Sequence, residues 1–177
     1  MFDATKIFLL LLLTKDAFAS EGTEWQNEVL PDETWHKDFQ PKFVYCINKS
    51  KTSLLVYKEA IKYWKSKGYV GGASSKINIE YCENNHDDLG KIRLAGEEGL
   101  EAGYFGVTTR QLIKVTMVNG DVETHVGSAY IRIEKEYSND LNMVIHELGH
   151  ALGIHHKHEK DSVMNAYHMY EDTKLES

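Results

Sequence analysis

Proline and cysteine are scarce in this chain of 177 residues, with two of each. Neither cysteine, Cys46 nor Cys82, has a C-x-x-C partner, which excludes a zinc ribbon or a dithiol redox motif. Low-complexity linkers and internal repeats are also missing, which leaves one ordinary domain. A basic face is lacking: the formal net charge is −7, and a phosphate backbone needs the opposite sign. Nucleic acid is therefore excluded as a partner. No apolar run is long enough to span a bilayer; the longest near the start, Ile7 to Leu13, falls far short of about 20 residues.

The composition is globular. Hydrophobic residues make up 42% and charged residues 27%, enough for a real core at this length. Lys6, the short apolar run, a polar Thr14-Lys15-Asp16 stretch and the small-x-small Ala17-Phe18-Ala19 read as an export signal covering residues 1–19, cut before Ser20. The competing reading is a buried N-terminal strand or helix. Export predicts a secreted or periplasmic protein. In that setting two cysteines suggest one disulfide, with two buried thiols as the alternative.

Pro31 and Pro41 bracket an acidic arm, residues 20–42, that carries Trp25 and Trp35 without a clear period. The domain proper spans 43–177. Residues 43–47 read as a buried strand. Residues 52–67 have apolar residues at helical spacing and Gly68 as a stop. Residues 76–82, 91–95, 104–118 and 128–134 read as strands, with a turn at Asn119-Gly120-Asp121. Residues 139–152 read as a second helix, capped by Asn139 or Asp140 and ended by Gly153. This order predicts an α+β fold, a mixed sheet with two main helices.

The chemistry is concentrated in HELGHALGIHH, His146 to His156. Residues four apart share a helix face, so His146 and His150 can aim at one ion. Zinc suits neutral imidazoles in a tetrahedral shell. Glu147 sits beside the first ligand and can reach a water there without being a ligand. A straight helix would carry His156 roughly 9 Å past His150 at 1.5 Å per residue. Gly153 allows the left-handed turn that brings it back. His155 and His158 are weaker rivals for the third ligand. The full spacing is expected by chance on the order of 0.0002 times per such chain, so an accidental match is set aside.

That motif, followed by Ser162-Val163-Met164-Asn165, resembles the metzincin clan of zinc peptidases, and most closely its compact matrixin-like catalytic domains. The resemblance implies a five-stranded twisted mixed sheet, an active-site helix, a second long helix and a small C-terminal subdomain. It implies one catalytic zinc ion on His146, His150 and His156, with Glu147 as general base. It also implies a methionine turn at Met164 beneath the imidazoles. An extended peptide or protein substrate is expected to add as a strand to the sheet edge, placed within Tyr104–Thr109. If strands 43–47 and 76–82 are neighbours, as that fold has them, Cys46 and Cys82 can bridge.

The chain departs from the matrixin pattern in several places. The arm holds no cysteine to block the metal. Loop 96–103 lacks histidine for a second zinc. Its Glu97, Glu98 and Glu101 are of the type that binds calcium, with a solvated acidic loop as the plainer reading. Thirteen residues follow Met164, which predicts a short or missing third helix. Tyr167 is a candidate oxyanion or pocket residue, one position later than in clan members that use a tyrosine. His86-Asp87-Asp88 reads as a polar loop rather than a metal site. The expected function is a secreted zinc endopeptidase, acting as a monomer through zinc-activated water and Glu147. A zinc-holding binding protein without turnover and a zinc hydrolase of a non-peptide amide stand as the alternatives.

Overall fold

The computed structural model describes residues 14–19, 35, 40–70, 76–83, 89–96, 100, 104–117, 119–159 and 161–165. Six strands and two helices follow in the order β1 (Thr14–Ala19), β2 (Lys42–Cys46), α1 (Leu54–Ser66), β3 (Ile77–Glu80), β4 (Lys91–Leu94), β5 (Gly106–Thr116), β6 (Val122–Ile133) and α2 (Leu141–Ala151). One 3-10 turn, Lys135–Tyr137, lies between β6 and α2.

Helix α1 starts where Ser53 accepts a hydrogen bond from the Val56 amide at 3.3 Å, and it stops before Gly68, which has a φ of +84°. Its buried residues are Tyr57, Ala60, Ile61 and Trp64, a single face at spacings of three and four. In α2 the cap is Asp140, whose carboxylate accepts from the amides of Asn142 and Met143. Asn139, the other cap candidate, instead accepts from the Ser53 amide at 2.8 Å and ties the starts of the two helices together. Every residue from Met143 to Ala151 is buried. A helix buried all round has its polar side chains committed to something internal.

The five strands β2 to β6 form the expected mixed sheet. β3, β2, β4 and β6 run parallel as neighbours, and β5 pairs antiparallel with β6. The β5–β6 hairpin turns at Gly120, φ +91°, with the Met117 amide bonded to the Asp121 carbonyl. β6 is longer than its apolar stretch suggests, starting at Val122 rather than 128. Val122 to Thr124 are exposed and polar or isolated, and they are held by pairing with Val115, Thr116 and Lys114 rather than by burial. A sixth strand closes the sheet: Thr14–Ala19, the tail of the segment read as an export signal, pairs antiparallel along β5 from Leu112 to Val107. The outer edge of β5 is a row of backbone donors and acceptors, and such an edge accepts any strand that reaches it.

Both helices pack on one face of the sheet around Phe43, Tyr57, Trp64, Leu94, Ile131, Met143 and Leu148. Two indoles fasten α2 within that layer. Trp64 Nε1 donates to the Ile145 carbonyl at 2.8 Å, and Trp35 Nε1, from the arm, donates to the Ala151 carbonyl at 2.9 Å. The second bond satisfies one of the orphan carbonyls at a helix end. On the opposite face a smaller cluster holds Val44, Ala95, Tyr130 and the Cys46–Cys82 disulfide. Strands β2 and β3 are indeed neighbours, and Asn48 pins the second cysteine by bonding both its carbonyl and its amide. The bridge spans a sequence separation of 36, which corresponds to roughly 3–4 kcal/mol of lost unfolded-chain entropy.

Candidate metal centre

Helix α2 presents His146 and His150 one turn apart, and both are buried. After Ala151 the chain leaves the helix through Gly153, whose φ of +96° is the left-handed conformation the spacing calls for. The turn returns His156 to the same side. The three Nε2 atoms lie 3.1 Å (His146–His150), 3.1 Å (His150–His156) and 3.2 Å (His146–His156) apart.

The tautomers follow from the outer nitrogens. His146 Nδ1 sits 2.8 Å from the Val163 carbonyl and His150 Nδ1 sits 2.8 Å from the Ile154 carbonyl. A carbonyl only accepts, so each Nδ1 carries the proton and each Nε2 offers a lone pair inward. The His146 and His150 lone pairs, this close to each other, repel without a cation or a proton between them. Zinc bonded to imidazole at 2.0–2.1 Å in a tetrahedral shell sets its nitrogens about 3.3 Å apart, a few tenths of an ångström from what is seen. The donor set therefore fits zinc. Among the described residues, this is the one group of three His, Cys, Asp or Glu side chains close enough to share an ion.

Burial lowers the imidazole pKa values. His146 falls to about 4, chiefly by desolvation, with the Val163 carbonyl opposing and His156 adding. His150 is pushed well below its ordinary value by desolvation and then by the neighbouring charges of His146, His156 and Arg110. His156 is lowered by desolvation. Neutral imidazole is the form a metal needs.

His155 takes no part in the triad. It is buried on another side, with Nε2 3.5 Å from the Arg110 guanidinium. His158 is exposed.

Below the helix, residues 162–165 form a tight turn. The Met164 amide meets Ser162 Oγ at 3.2 Å, the Asn165 amide bonds the Ser162 carbonyl at 2.8 Å, and the Met164 carbonyl accepts from the Lys157 amide at 3.0 Å. Met164 is buried, and its sulfur lies where a side chain on Gly149 would begin, beside Trp64. Gly149 thus lets the thioether pack directly on the helix backbone between the two helical histidines.

The sequence model of the family described as Matrixin matches residues 32–176. The chain belongs to the matrixin family. No solved structure matches it. Membership carries zinc-dependent metallopeptidase chemistry, and the three histidines form a group that could hold the metal ion in this matrixin. No helix among the described residues is long and apolar enough to cross a membrane.

Glu147 lies beside the triad, fully buried, and faces β5. Its Oε2 accepts from Thr108 Oγ1 at 2.6 Å. Its Oε1 is buried with no hydrogen-bond partner from the protein. Desolvation drives its pKa up to about 8, against the lowering influence of the Thr108 bond and of Arg132. A dication beside it would favour the carboxylate again.

Thr108 and Gly106 were not legible as site residues. They fall in the Tyr104–Thr109 segment singled out only as a substrate edge. Strand alternation says the two share a face, but nothing local says that this face meets Glu147. Tyr167, Glu97, Glu98, Glu101 and His86-Asp87-Asp88 lie outside the described residues, as does most of the expected C-terminal subdomain.

Proposed function

We propose that this matrixin is an exported zinc endopeptidase that hydrolyses peptide bonds with His146, His150 and His156 as metal ligands and Glu147 as general base. The observation that carries the reading is the pairing of three converging Nε2 atoms with a carboxylate whose second oxygen, Oε1, is left without a protein partner. When bound, zinc supplies a Lewis acid for the scissile carbonyl and for the attacking water. The protein's own part is proton handling and orientation. Glu147 Oε1 takes the proton of the attacking water and returns it to the leaving amine. The carbonyls of Val163 and Ile154 hold the imidazole tautomers, and the Met164 turn carries the Val163 carbonyl.

An extended substrate pairs with the outer edge of β5, which gives backbone bonds without regard to side chains. In the full chain β1 takes this edge, and it runs toward the end of β5 that touches Glu147, with Ala19 opposite Val107. Removal of residues 1–19 exposes the edge. The disulfide is compatible with an oxidising compartment.

The test is cleavage of casein by residues 20–177, with and without a chelator, beside Glu147→Ala. Activity that needs both the metal and Glu147 is expected. A folded, zinc-loaded chain that cleaves neither casein nor a panel of peptides would instead support a binding protein, and turnover of non-peptide amides alone would support a different zinc hydrolase.

A further inference from the structure

The wall that faces Glu147 is built by two residues of β5, two positions apart and therefore on one side of the strand. A Cβ added to Gly106 would lie 2.6 Å from Glu147 Oε1 and 2.9 Å from its carboxyl carbon, so the carboxyl occupies the space a side chain would take. Thr108 Oγ1 lies 2.6 Å from Oε2 and 2.9 Å from the Glu147 backbone carbonyl, and Thr108 is fully buried. The hydroxyl has one hydrogen and two acceptors in reach. The carboxylate is the stronger acceptor, and 2.6 Å is the length of a charge-assisted bond. The hydrogen therefore goes to Oε2.

The terminal torsion of a glutamate is broad and roughly two-fold, so nothing in the side chain itself distinguishes its two oxygens. The bond from Thr108 does. We infer that Thr108 is a positioning residue that keeps Oε2 out of proton transfer and assigns that task to Oε1. Gly106 leaves the room that lets the carboxyl sit there. When Oε1 carries the proton, the Thr108 hydrogen still has a partner, either Oε2 or the backbone carbonyl. The buried hydroxyl is thus satisfied in both states of the cycle, and neither state leaves an orphan donor. The inference rests on Glu147 being the general base.

Two variants of residues 20–177 test it. Thr108→Val keeps the shape and removes the hydroxyl; Thr108→Ser keeps the hydroxyl. On a peptide substrate, Thr108→Val is expected to lower kcat about 10–100-fold, the scale of a misplaced catalytic group. KM and bound zinc should stay near those of the parent, while the melting temperature falls by a few degrees for the lost buried bond. Thr108→Ser should restore kcat to within a few-fold. A structural role alone would instead move KM and zinc content along with kcat. A second readout needs no activity. The infrared carboxylate bands of Glu147, isolated in the metal-free chain at a pH well above 8, where the carboxyl is ionised, by difference against Glu147→Gln, should shift in Thr108→Val and not in Thr108→Ser. Parent-like kcat in Thr108→Val, equal losses in both variants, or unshifted bands would each overturn the inference. An inactive parent that shows the band shift would overturn the peptidase reading instead, and with it the proton-transfer role, while the hydrogen bond itself would stand.

Discussion

The two sides of the centre are assembled by different means. On the metal side, all three imidazoles come from one stretch of eleven residues, His146 to His156, bent by a single glycine. On the side proposed for the base, Glu147 is hydrogen-bonded by Thr108, 39 residues away in sequence and brought near by the packing of α2 on β5. The metal side is mostly local geometry: a helix period and a turn bring the imidazoles together, and the Val163 carbonyl from the following turn orients one of them. The base side is tertiary structure, so it exists only when the sheet is complete. Coordination can therefore survive changes that abolish proton transfer, while the reverse is not expected.

The largest effect separates the two sides directly. His150→Ala removes a buried imidazole proposed as a ligand and should lose both zinc and activity. Glu147→Ala should keep zinc and lose about 10²–10⁴-fold in kcat, the contribution usual for a general base. Metal analysis of the purified variants, with kinetics on the same samples, checks both. A Glu147→Ala chain that arrives without metal would merge the two sides and break the comparison.

Gly106→Ala gives a smaller effect of the same kind. The added methyl meets Glu147 Oε1, Cγ and Cδ at 2.6–2.9 Å, and the glutamate is held between strand and helix. The carboxyl must shift by part of an ångström, which on this scale costs about 10–100-fold in kcat. Zinc content should be unchanged, since the three atoms nearest that methyl all belong to Glu147. Loss of zinc in Gly106→Ala would show that the strand wall supports the ligands as well as the base.

What the sequence made legible follows the same division. The strands at 43–47, 76–82 and 91–95, both helices, the hairpin at Asn119-Gly120-Asp121 and the turn at Gly153 all rest on periodicity and on residues with special backbone freedom. The Cys46–Cys82 bridge rests on the even pair of cysteines in a chain read as exported and on the strand neighbours that the motif's fold implied, not on spacing. Thr108 and Gly106 were hidden, because which face of a strand meets which helix is decided by packing. The start of β6 was hidden for a related reason: Val122 to Thr124 are held by a partner strand and not by burial, so no hydrophobic pattern marks them. Trp35 lies in an arm without period, yet its indole caps the Ala151 carbonyl, a partner 116 residues on.

The smallest effect distinguishes the two sides by the direction in which they respond to pH in the metal-free chain. His146 is lowered from 6.5 to about 4 by burial, and His150 and His156 move the same way. The unfolded chain then binds more protons than the folded one between about pH 4 and 6.5, so stability rises with pH across that window. Glu147 is raised from 4.5 to about 8 by burial. Its folded form holds a proton that the unfolded form has released, so its contribution falls as pH rises from 4.5 to 8. Three imidazoles outweigh one carboxyl below pH 6.5, and above it the carboxyl acts alone. The melting temperature of the chelated chain should climb from pH 4, peak at about pH 6–7 and decline toward pH 8. Glu147→Gln cannot ionise and should remove the decline while keeping the climb. A decline that persists in Glu147→Gln would mean that the buried carboxyl is not its source, and the contrast between the two sides would then rest on kinetics alone.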